Sequence, residues 1–298
     1  MKRWILLSAT LAAFLTAGCG ERSEPTGALP PQFPVTVQGD GDEAAVVQKE
    51  PARIVALAPG PAELVARLGV GKRLVGVPFG TPGTRGAKIV ASSAGQVSVD
   101  EVGHLRPDLL IATRDTDPVD VALARQRADA PLYEQPADSV EDVRRSIFEL
   151  GDAVGEPVQA RRLAGRIQSR VDAVQRTIAN EPTTTVFVDT GFLVPPPSSS
   201  LLSDLVRRAG GRSVGGSSTE FAPVKTGALL SLDPDVYLAT ADSGVTLKQL
   251  RNDPQLRKLT AVKKGRVVVL PEYVTQGGPR LPQALRAVAE ALHPDAFG

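Results

Sequence analysis

The sequence predicts an α/β protein in which two lobes are joined by one long helix. Short apolar strands alternate with helices up to residue 138, and the same alternation returns after residue 182. Such alternation produces parallel β-α units whose sheets are covered on both faces. Between the two regions lies the longest helical pattern of the chain, from Pro157 to Ala179. A helix of that length rises about 35 Å, close to the width of a domain, so it can connect two lobes.

The first 18 residues have the composition of a secretory signal. Lys2 and Arg3 precede an uncharged, mostly apolar stretch from Trp4 to Ala17, which is shorter than the about 20 residues of a membrane-spanning helix. An ordinary buried helix is the alternative, although no polar residues give the stretch a second face. We therefore expect residues 1–18 to be a signal peptide and the protein to be exported.

Cys19, the single cysteine of the chain, follows this stretch directly. The small residues before it resemble a bacterial lipobox, although Leu15 stands four places before the cysteine, where three is commoner. The resemblance implies that Cys19 becomes the lipid-modified first residue and holds the protein at the membrane. An unmodified thiol is the alternative.

The charge balance argues against nucleic-acid binding. The chain has 34 basic and 33 acidic residues, and because Lys2 and Arg3 leave with the signal, the mature chain carries 32 and 33. It has no basic tract, and a near-neutral chain lacks the electrostatic footprint of a nucleic-acid-binding protein. No stretch after the signal is long and apolar enough to predict a membrane span.

The mature chain begins with a predicted tether at residues 19–34, which are rich in Pro, Gly and charge and show no periodicity. Residues 35–138 are predicted to form the N-terminal lobe, which opens with a hairpin of strands at 35–37 and 44–48. Its later strands are expected at 53–58, 74–77, 108–112 and 132–135, and its helices at 62–68, 100–105 and 119–127.

Residues 139–182 are predicted to be a helical connector. Ser139 with Asp142 forms a helix-start signal, Gly155 interrupts, and Pro157 suits the first position of the second helix. The C-terminal lobe, residues 183–298, repeats the pattern of the first. Its strands are expected at 184–189, 235–239 and 266–270, and its helices at 201–208, 247–251 and 281–292. Each lobe is therefore predicted to be Rossmann-like.

Seven segments in this order resemble the periplasmic solute-binding proteins that serve iron-siderophore, cobalamin and haem importers. They are residues 51–77, 105–112, the long helix, 201–211, 229–239, 259–270 and 278–294. The resemblance implies two lobes on one rigid helix and a ligand cleft between the lobes. It also implies a small organic or metal-chelate ligand, of the ferric siderophore or cobalamin class, and an ABC permease as partner. A sensing or structural lipoprotein with the same fold is the alternative.

The sequence offers no catalytic centre, metal site or cofactor site. His104 and His293 are its two histidines, and neither lies near a Ser motif that would supply a nucleophile. Two histidines so far apart are too few to predict a zinc or manganese site. The sequence therefore predicts a binding protein with no catalytic residues, no metal ligands and no cofactor.

Parallel sheets bind ligands outside the carboxyl ends of their strands. Residues in the predicted strand-end loops and in one further turn are therefore the candidate ligand contacts. They are Pro59, Gly60, Phe79, Thr113 and Arg114 in the first lobe, and Gly191, Phe192, Thr240, Asp242, Tyr273 and Arg280 in the second. Three alternatives stay open: the two Phe side chains are core residues, Arg114 and Asp115 are a solvated pair, or Arg280 ties the C-terminal loop to its lobe.

The resemblance also implies one surface glutamate on each lobe that docks on arginines of the permease. The matching positions here are Val90 and Gly227, which have no carboxylate. Glu101 and Glu220 are the acids near enough in sequence to replace them as partner-docking residues.

Overall fold

The computed structural model describes residues 32–216 and 222–298. The N-terminal lobe opens with an antiparallel hairpin, as predicted, formed by β1 (Val35–Val37) and β2 (Ala45–Val47). Five strands follow: β3 (Ile54–Ala56), β4 (Leu74–Pro78), β5 (Lys88–Ala91), β6 (Leu109–Thr113) and β7 (Leu132–Gln135). Its helices are α1 (Pro59–Val65), α2 (Val99–Leu105) and α3 (Pro118–Ala128), with a π-helical turn over Ala66–Val70 and a 3-10 turn over Gly71–Arg73.

Two helices, α4 (Val140–Ala153) and α5 (Pro157–Thr177), connect this lobe to the second. The strands of the second lobe are β8 (Thr184–Asp189), β9 (Gly211–Ser213), β10 (Val236–Thr240) and β11 (Val267–Leu270). Its helices are α6 (Leu201–Arg208), α7 (Thr226–Leu232), α8 (Leu247–Asn252), α9 (Thr260–Lys263) and α10 (Leu281–Leu292). Short 3-10 turns cover Ala241–Ser243, Leu256–Lys258, Glu272–Thr275 and Pro294–Phe297.

Each lobe has its own parallel sheet, and no strand passes from one sheet to the other among the described residues. The N-terminal sheet has the order β5-β4-β3-β6-β7 and the C-terminal sheet the order β11-β10-β8-β9. All pairs within the two sheets are parallel. The predicted α/β fold of two lobes is therefore confirmed.

The connecting helix α5 is continuous and has no break near Ile167. Its buried stripe includes Leu163, Ile167, Val171 and Val174, and it packs on α4, on α10 of the second lobe and on the π-helical turn of the first. The helix ends at Thr177, two residues before the predicted Ala179, because Ile178 leaves helical geometry at φ −100° and ψ 7°.

One apolar core runs from lobe to lobe through α4, α5 and α10. In β3, Ile54 and Ala56 face this shared core, whereas Val55 faces a smaller cluster under α2 and α3. In β10, Leu238 faces the shared core, whereas Tyr237 belongs to a cluster under α7 to α9. The side-chain alternation of a strand therefore gives each sheet one face toward the connector and one toward its own outer helices.

Candidate functional site in the interlobe cleft

The two lobes meet where the start of α1 and the end of β7 touch the segment that follows β11. A Cβ atom built on Gly60 would lie 1.8 Å from the carbonyl oxygen of Gln276, so only glycine permits this approach. The buried Gln135 donates from Nε2 to the carbonyl oxygen of Gly277 at 2.7 Å. We call Gly60, Gln135, Gln276, Gly277 and Gly278 the interlobe seam. Gly60 is buried there by its own lobe and by the segment after β11.

Arg280 lies beside the seam and bridges the lobes. Its Nη2 is 2.5 Å from Oε1 of Glu63 on α1, whose side chain is 9% exposed, and 2.9 Å from Oε1 of Gln276. Its guanidinium carbon lies 4.8 Å from the ring centre of Tyr273, which makes a cation–π contact. The geometry favours the alternative that Arg280 ties the C-terminal segment in place, and it reaches across to the other lobe.

Two aromatic rings are exposed at the carboxyl ends of the sheets. Phe79 follows β4 and is 62% exposed, and Phe192 follows β8 and is 93% exposed, so neither is a core residue. Two backbone hydrogen bonds close the turn that carries Phe192. The Thr190 N–H donates to the carbonyl oxygen of Val194 at 2.9 Å, and the Val194 N–H donates to the carbonyl oxygen of Gly191 at 3.1 Å.

This turn is strained. Phe192 and Leu193 have φ values of 56° and 59°, a left-handed conformation that costs a non-glycine residue about 1–2 kcal/mol. Gly191, at φ 129°, pays no such cost. Such strain clusters at functional sites, so it marks the Phe192 turn as a candidate ligand contact.

Arg114, the charged candidate of the first lobe, is held by two ion pairs. Arg114 is 66% exposed at the side chain and pairs with Asp40 at 3.2 Å and with Asp138 at 3.0 Å rather than with Asp115. Burial raises the pKa of Asp138, and the Arg114 charge opposes that shift.

The two uncharged candidates of the first lobe are less accessible. Thr113 is buried, with Oγ1 3.5 Å from Oγ1 of Thr116, and Pro59 is half-buried as the first residue of α1.

In the second lobe a buried polar pair lies below the Phe192 turn. The Tyr237 hydroxyl donates to Oδ2 of Asp189 at 2.5 Å, and Oδ1 of Asp189 accepts from the Gly191 backbone at 2.8 Å. Burial, followed by the hydrogen bond and charge of Asp189, raises the pKa of Tyr237 far above its usual value, so the phenol keeps its proton. Asp242, by contrast, is exposed in the 3-10 turn after β10.

Two buried oxygens lack a hydrogen-bond partner among the described residues. They are Oγ1 of Thr240 and Oε1 of Gln135, which lie in the last residues of β10 and β7. Unpaired buried oxygens are costly, and these two stand at the ends of strands where a ligand would bind.

The docking positions differ from the sequence expectation. Val90 is 1% exposed inside β5, so it cannot face a partner, and its assignment as a docking position was wrong. No strand was predicted at residues 88–91, which form β5. Gly227 is exposed near the start of α7, and Glu220 lies outside the described residues.

Glu101 lies in the first turn of α2, where it is partly exposed. Its neighbour Asp100 is more accessible, with 82% of its side chain exposed and one oxygen 3.6 Å from Arg127 Nε. Asp100 was not among the predicted docking residues, although it begins the predicted helix at 100–105. The first turn of α2 thus carries two acids at successive positions.

The histidines are separated. His104 is exposed on α2, whereas His293 is 5% exposed and its Nε2 lies 2.9 Å from the carbonyl oxygen of Ala209. In the described ranges, no three His, Cys, Asp or Glu side chains converge as metal ligands would. Cys19 lies outside the described residues. In the same ranges no helix combines the length and the hydrophobicity of a membrane span.

Two surface hollows occur away from the strand ends. One of about 880 Å³ lies between the β1–β2 hairpin and α3, and one of about 540 Å³ lies along β5. Neither is lined by any of the candidate ligand residues. The interlobe cleft is the candidate binding site, because parallel sheets bind ligands at the carboxyl ends of their strands, where the exposed rings follow β4 and β8.

Comparison with known proteins assigns the fold to a family. A sequence profile of the periplasmic binding proteins matches residues 54–274, which is most of the chain. The chain belongs to this family. The resemblance seen in the sequence is therefore confirmed, and family members bind solutes outside the cytoplasm.

Individual relatives extend over almost the whole chain. An uncharacterized ABC transporter substrate-binding lipoprotein of Bacillus subtilis, YvrC, is 28% identical and covers 96% of both chains. A cobalamin-binding protein of Halobacterium salinarum is 26% identical over 97% of this chain and 84% of its own. A crystal structure of an ABC transporter substrate-binding protein from Listeria monocytogenes has a TM-score of 0.72 and 23% identity, and covers 83% of this chain and 100% of its own.

Proposed function

We propose that this periplasmic binding protein is a lipoprotein that captures a small organic or metal-chelate ligand and delivers it to an ABC permease without chemical change. The observation that carries the proposal is the pair of exposed rings, Phe79 and Phe192, at the carboxyl ends of opposed sheets. An aromatic ring buries a large apolar area when it stacks on a flat ligand. Rings on both lobes suit a ligand held between them.

We favour a ligand of the cobalamin class, with ferric siderophores as the second choice. A metal held inside an organic chelator needs no ligand from the protein, and the described residues supply no converging metal ligands. A broad apolar ring system suits Phe79 and Phe192, while polar edges suit Arg114 and Asp242 at the rim. The Halobacterium relative is named for cobalamin, which supports the same class.

The test is a fluorescence or calorimetric titration with cyanocobalamin, a ferric catecholate, a ferric hydroxamate and haemin. We expect one of the first three to bind, and Phe79→Ser with Phe192→Ser to weaken that binding at least about tenfold through lost stacking area. Leu232→Ser is the matched control, because Leu232 is 44% exposed at the far end of α7. Equal losses in both variants, or binding of none of the four ligands, would refute the proposed site.

We propose that the first turn of α2 docks on the permease, through Asp100 together with Glu101. Helices that follow parallel strands begin at the carboxyl edge of the sheet, so α2 presents these acids on the cleft side. The expected result is that Asp100→Asn with Glu101→Gln slows association with the permease, and more so at low salt. Glu220→Gln is tested alongside, because it was the second acid that the sequence suggested.

Gly227 supports a second candidate function. The second lobe has this glycine where family resemblance places an acid, and an importer partner is then not required. A sensing or structural lipoprotein would bind the ligand but no permease. Pull-down with permeases of the same cell separates the two functions, because a transport protein must bind its permease, whereas a sensing protein is expected to bind none.

We further propose that Cys19 carries the anchor and that residues 1–18 are removed. The remaining division follows the sequence analysis: a tether at 19–34, lobes at 35–138 and 183–298, and a connector at 139–182. Export is supported by the family and the anchor by the Bacillus relative, which is named a lipoprotein. Incorporation of labelled fatty acid, and its loss in Cys19→Ala, tests the anchor.

A further inference from the structure

The connecting helix α5 carries a row of arginines on its exposed face. At about 100° per residue, Arg162, Arg166, Arg170 and Arg176 fall within an arc of about 120°, on the side opposite to the buried stripe of the helix. All four are exposed, and no Asp or Glu lies on the same arc. The acid of this helix, Asp172, lies on the flank, where Oδ1 accepts from Gln168.

These arginines make no ion pair or hydrogen bond within residues 32–216 and 222–298. Two acids on the helices packed against α5 meet groups outside the row: Asp152 on α4 faces Arg161, an α5 residue that is not in the row, and Glu290 on α10 pairs with Arg286. The pairs 162–166 and 166–170 have the i, i+4 spacing at which like charges repel each other. The buried stripe does not require arginine on the opposite face, so the packing of α5 does not account for the row.

The chemistry of the row fits phosphate groups. Guanidinium is planar, always charged, and offers five donors in a fork that matches phosphate oxygens. From Arg162 to Arg176 the helix rises about 21 Å, so the row is straight and long enough to meet several headgroups at once. Only charge contact is involved, because the apolar face of α5 is buried in the protein.

The position of the row favours a membrane as the source of those phosphates. The predicted tether of residues 19–34 joins the proposed lipid on Cys19 to the first strand. The chain then enters the fold at Phe33 and Val35, which pack on the core shared by α4 and α5. Glu50, just after the hairpin, lies against Gly155 at the start of α5. A lipid on Cys19 is therefore joined to the folded chain beside α4 and near the start of α5.

We propose that the arginine face of α5 lies on anionic phospholipid headgroups and sets the orientation of the protein on the membrane. The location rests on the proposed anchor, whereas the affinity for anionic lipid belongs to the folded chain and needs no acyl group. Because the mature chain is nearly neutral overall, this binding depends on the local row rather than on net charge.

The experiment measures binding of the full chain with Cys19→Ala to two kinds of vesicle, one with phosphatidylglycerol and one of phosphatidylcholine alone. The readout is the ratio of the two affinities, which cancels any contribution of apolar segments. We expect a preference for phosphatidylglycerol that falls at least about tenfold in Arg162→Gln, Arg166→Gln, Arg170→Gln, Arg176→Gln, since each basic residue near an anionic surface contributes severalfold.

A matched control removes four exposed cations from the second lobe: Arg251→Gln, Arg257→Gln, Lys258→Gln and Lys263→Gln. It changes net charge by the same amount, and we expect it to keep the lipid preference. Equal losses in the two variants, no preference in the parent chain, or displacement of the vesicles by duplex DNA at equal phosphate concentration would each overturn the proposal. Ligand titration and fatty-acid labelling report on the proposed function separately, so either can fail alone.

Discussion

At the scale of single residues, Asp204 shows how one buried carboxylate joins two elements. It lies on α6 of the second lobe, and its Oδ2 accepts from the backbone of Val140, the first residue of α4, at 3.0 Å and from Arg208 Nε at 2.7 Å. Burial by itself would raise the pKa of Asp204, but these hydrogen bonds and the Arg208 and Arg207 charges outweigh it and hold the pKa below its usual value. The ionised form therefore stabilises the fold.

Asp204→Asn is expected to lower the free energy of unfolding by about 1–2 kcal/mol at pH 7, as the charged hydrogen bonds become neutral. A depressed pKa stabilises the fold above the unfolded value, which is near 4, and the contribution disappears as pH falls through the lower folded value. Urea unfolding at several pH values should show the difference from wild type shrinking below about pH 4. Asp242→Asn, at an exposed carboxylate, should show no difference at neutral pH.

Phe192 is expected to separate stability from binding. Phe192→Gly removes an exposed ring and relieves the strain of a left-handed residue, whereas glycine adds an entropy cost. The free energy of unfolding should therefore stay unchanged or rise by up to about 1 kcal/mol, as measured by thermal unfolding. Ligand affinity should fall in the same variant. Phe187→Ala, on the preceding strand and fully buried, should instead cost about 3–5 kcal/mol. A Phe192→Gly protein that unfolds as easily as Phe187→Ala would contradict an exposed, strained position.

At the scale of elements, the sequence predicted best where local signals agree. β8 and α6 match their expected bounds at 184–189 and 201–208, because a continuous apolar run and a Ser200 cap mark them. Ser139 caps α4 by accepting from Asp142 N, as its spacing with Asp142 predicted. β5 was missed because its four residues are bordered by Gly- and Ser-rich loops and show no periodicity. Its partner strand β4, not its own pattern, makes it a strand.

The arginine row of α5 leads to a prediction on stability that is independent of membranes. Replacing Arg162, Arg166 and Arg170 by Gln removes two repulsive i, i+4 pairs and keeps a similar helix propensity. The free energy of unfolding should therefore rise by about 0.5–1 kcal/mol. This gain in stability should vanish in about 1 M salt, where the Debye length is about 3 Å and the repulsion between the arginines is screened. Urea curves at both salt concentrations test this. A loss of stability would mean that the arginines have partners within the protein.

At the scale of the whole molecule, the strand-end rule names candidate residues but does not tell which of them are exposed to a ligand. Phe79 and Gly60 both follow strands of the first sheet, yet one is exposed and the other is buried against Gln276. That difference arises from contacts between residues more than 200 positions apart, which leave no local pattern. Arg280 is similar, because its partner Glu63 lies 217 positions away. The long-range contacts of the seam therefore decide the roles of these residues.

The seam itself predicts how the lobes respond to a single methyl group. In Gly60→Ala the new Cβ would lie 1.8 Å from the Gln276 carbonyl oxygen and close to Gly277, both of them backbone that cannot rotate away. We expect a loss of at least about 2 kcal/mol in unfolding free energy, or a protein whose lobes are displaced. Small-angle scattering should then show a larger radius of gyration than in wild type.

Gly227→Ala is the matched control for this change, because a Cβ there meets nothing within 4 Å on an exposed helix. It should stabilise α7 by about 0.5–1 kcal/mol and leave the scattering curve unaltered. Glu63→Gln keeps the size of the side chain but removes the charge that faces Arg280, so it should weaken the same contact without a steric clash. If Gly60→Ala unfolds and scatters like wild type while Glu63→Gln does not, the ion pair rather than the backbone contact holds the lobes together.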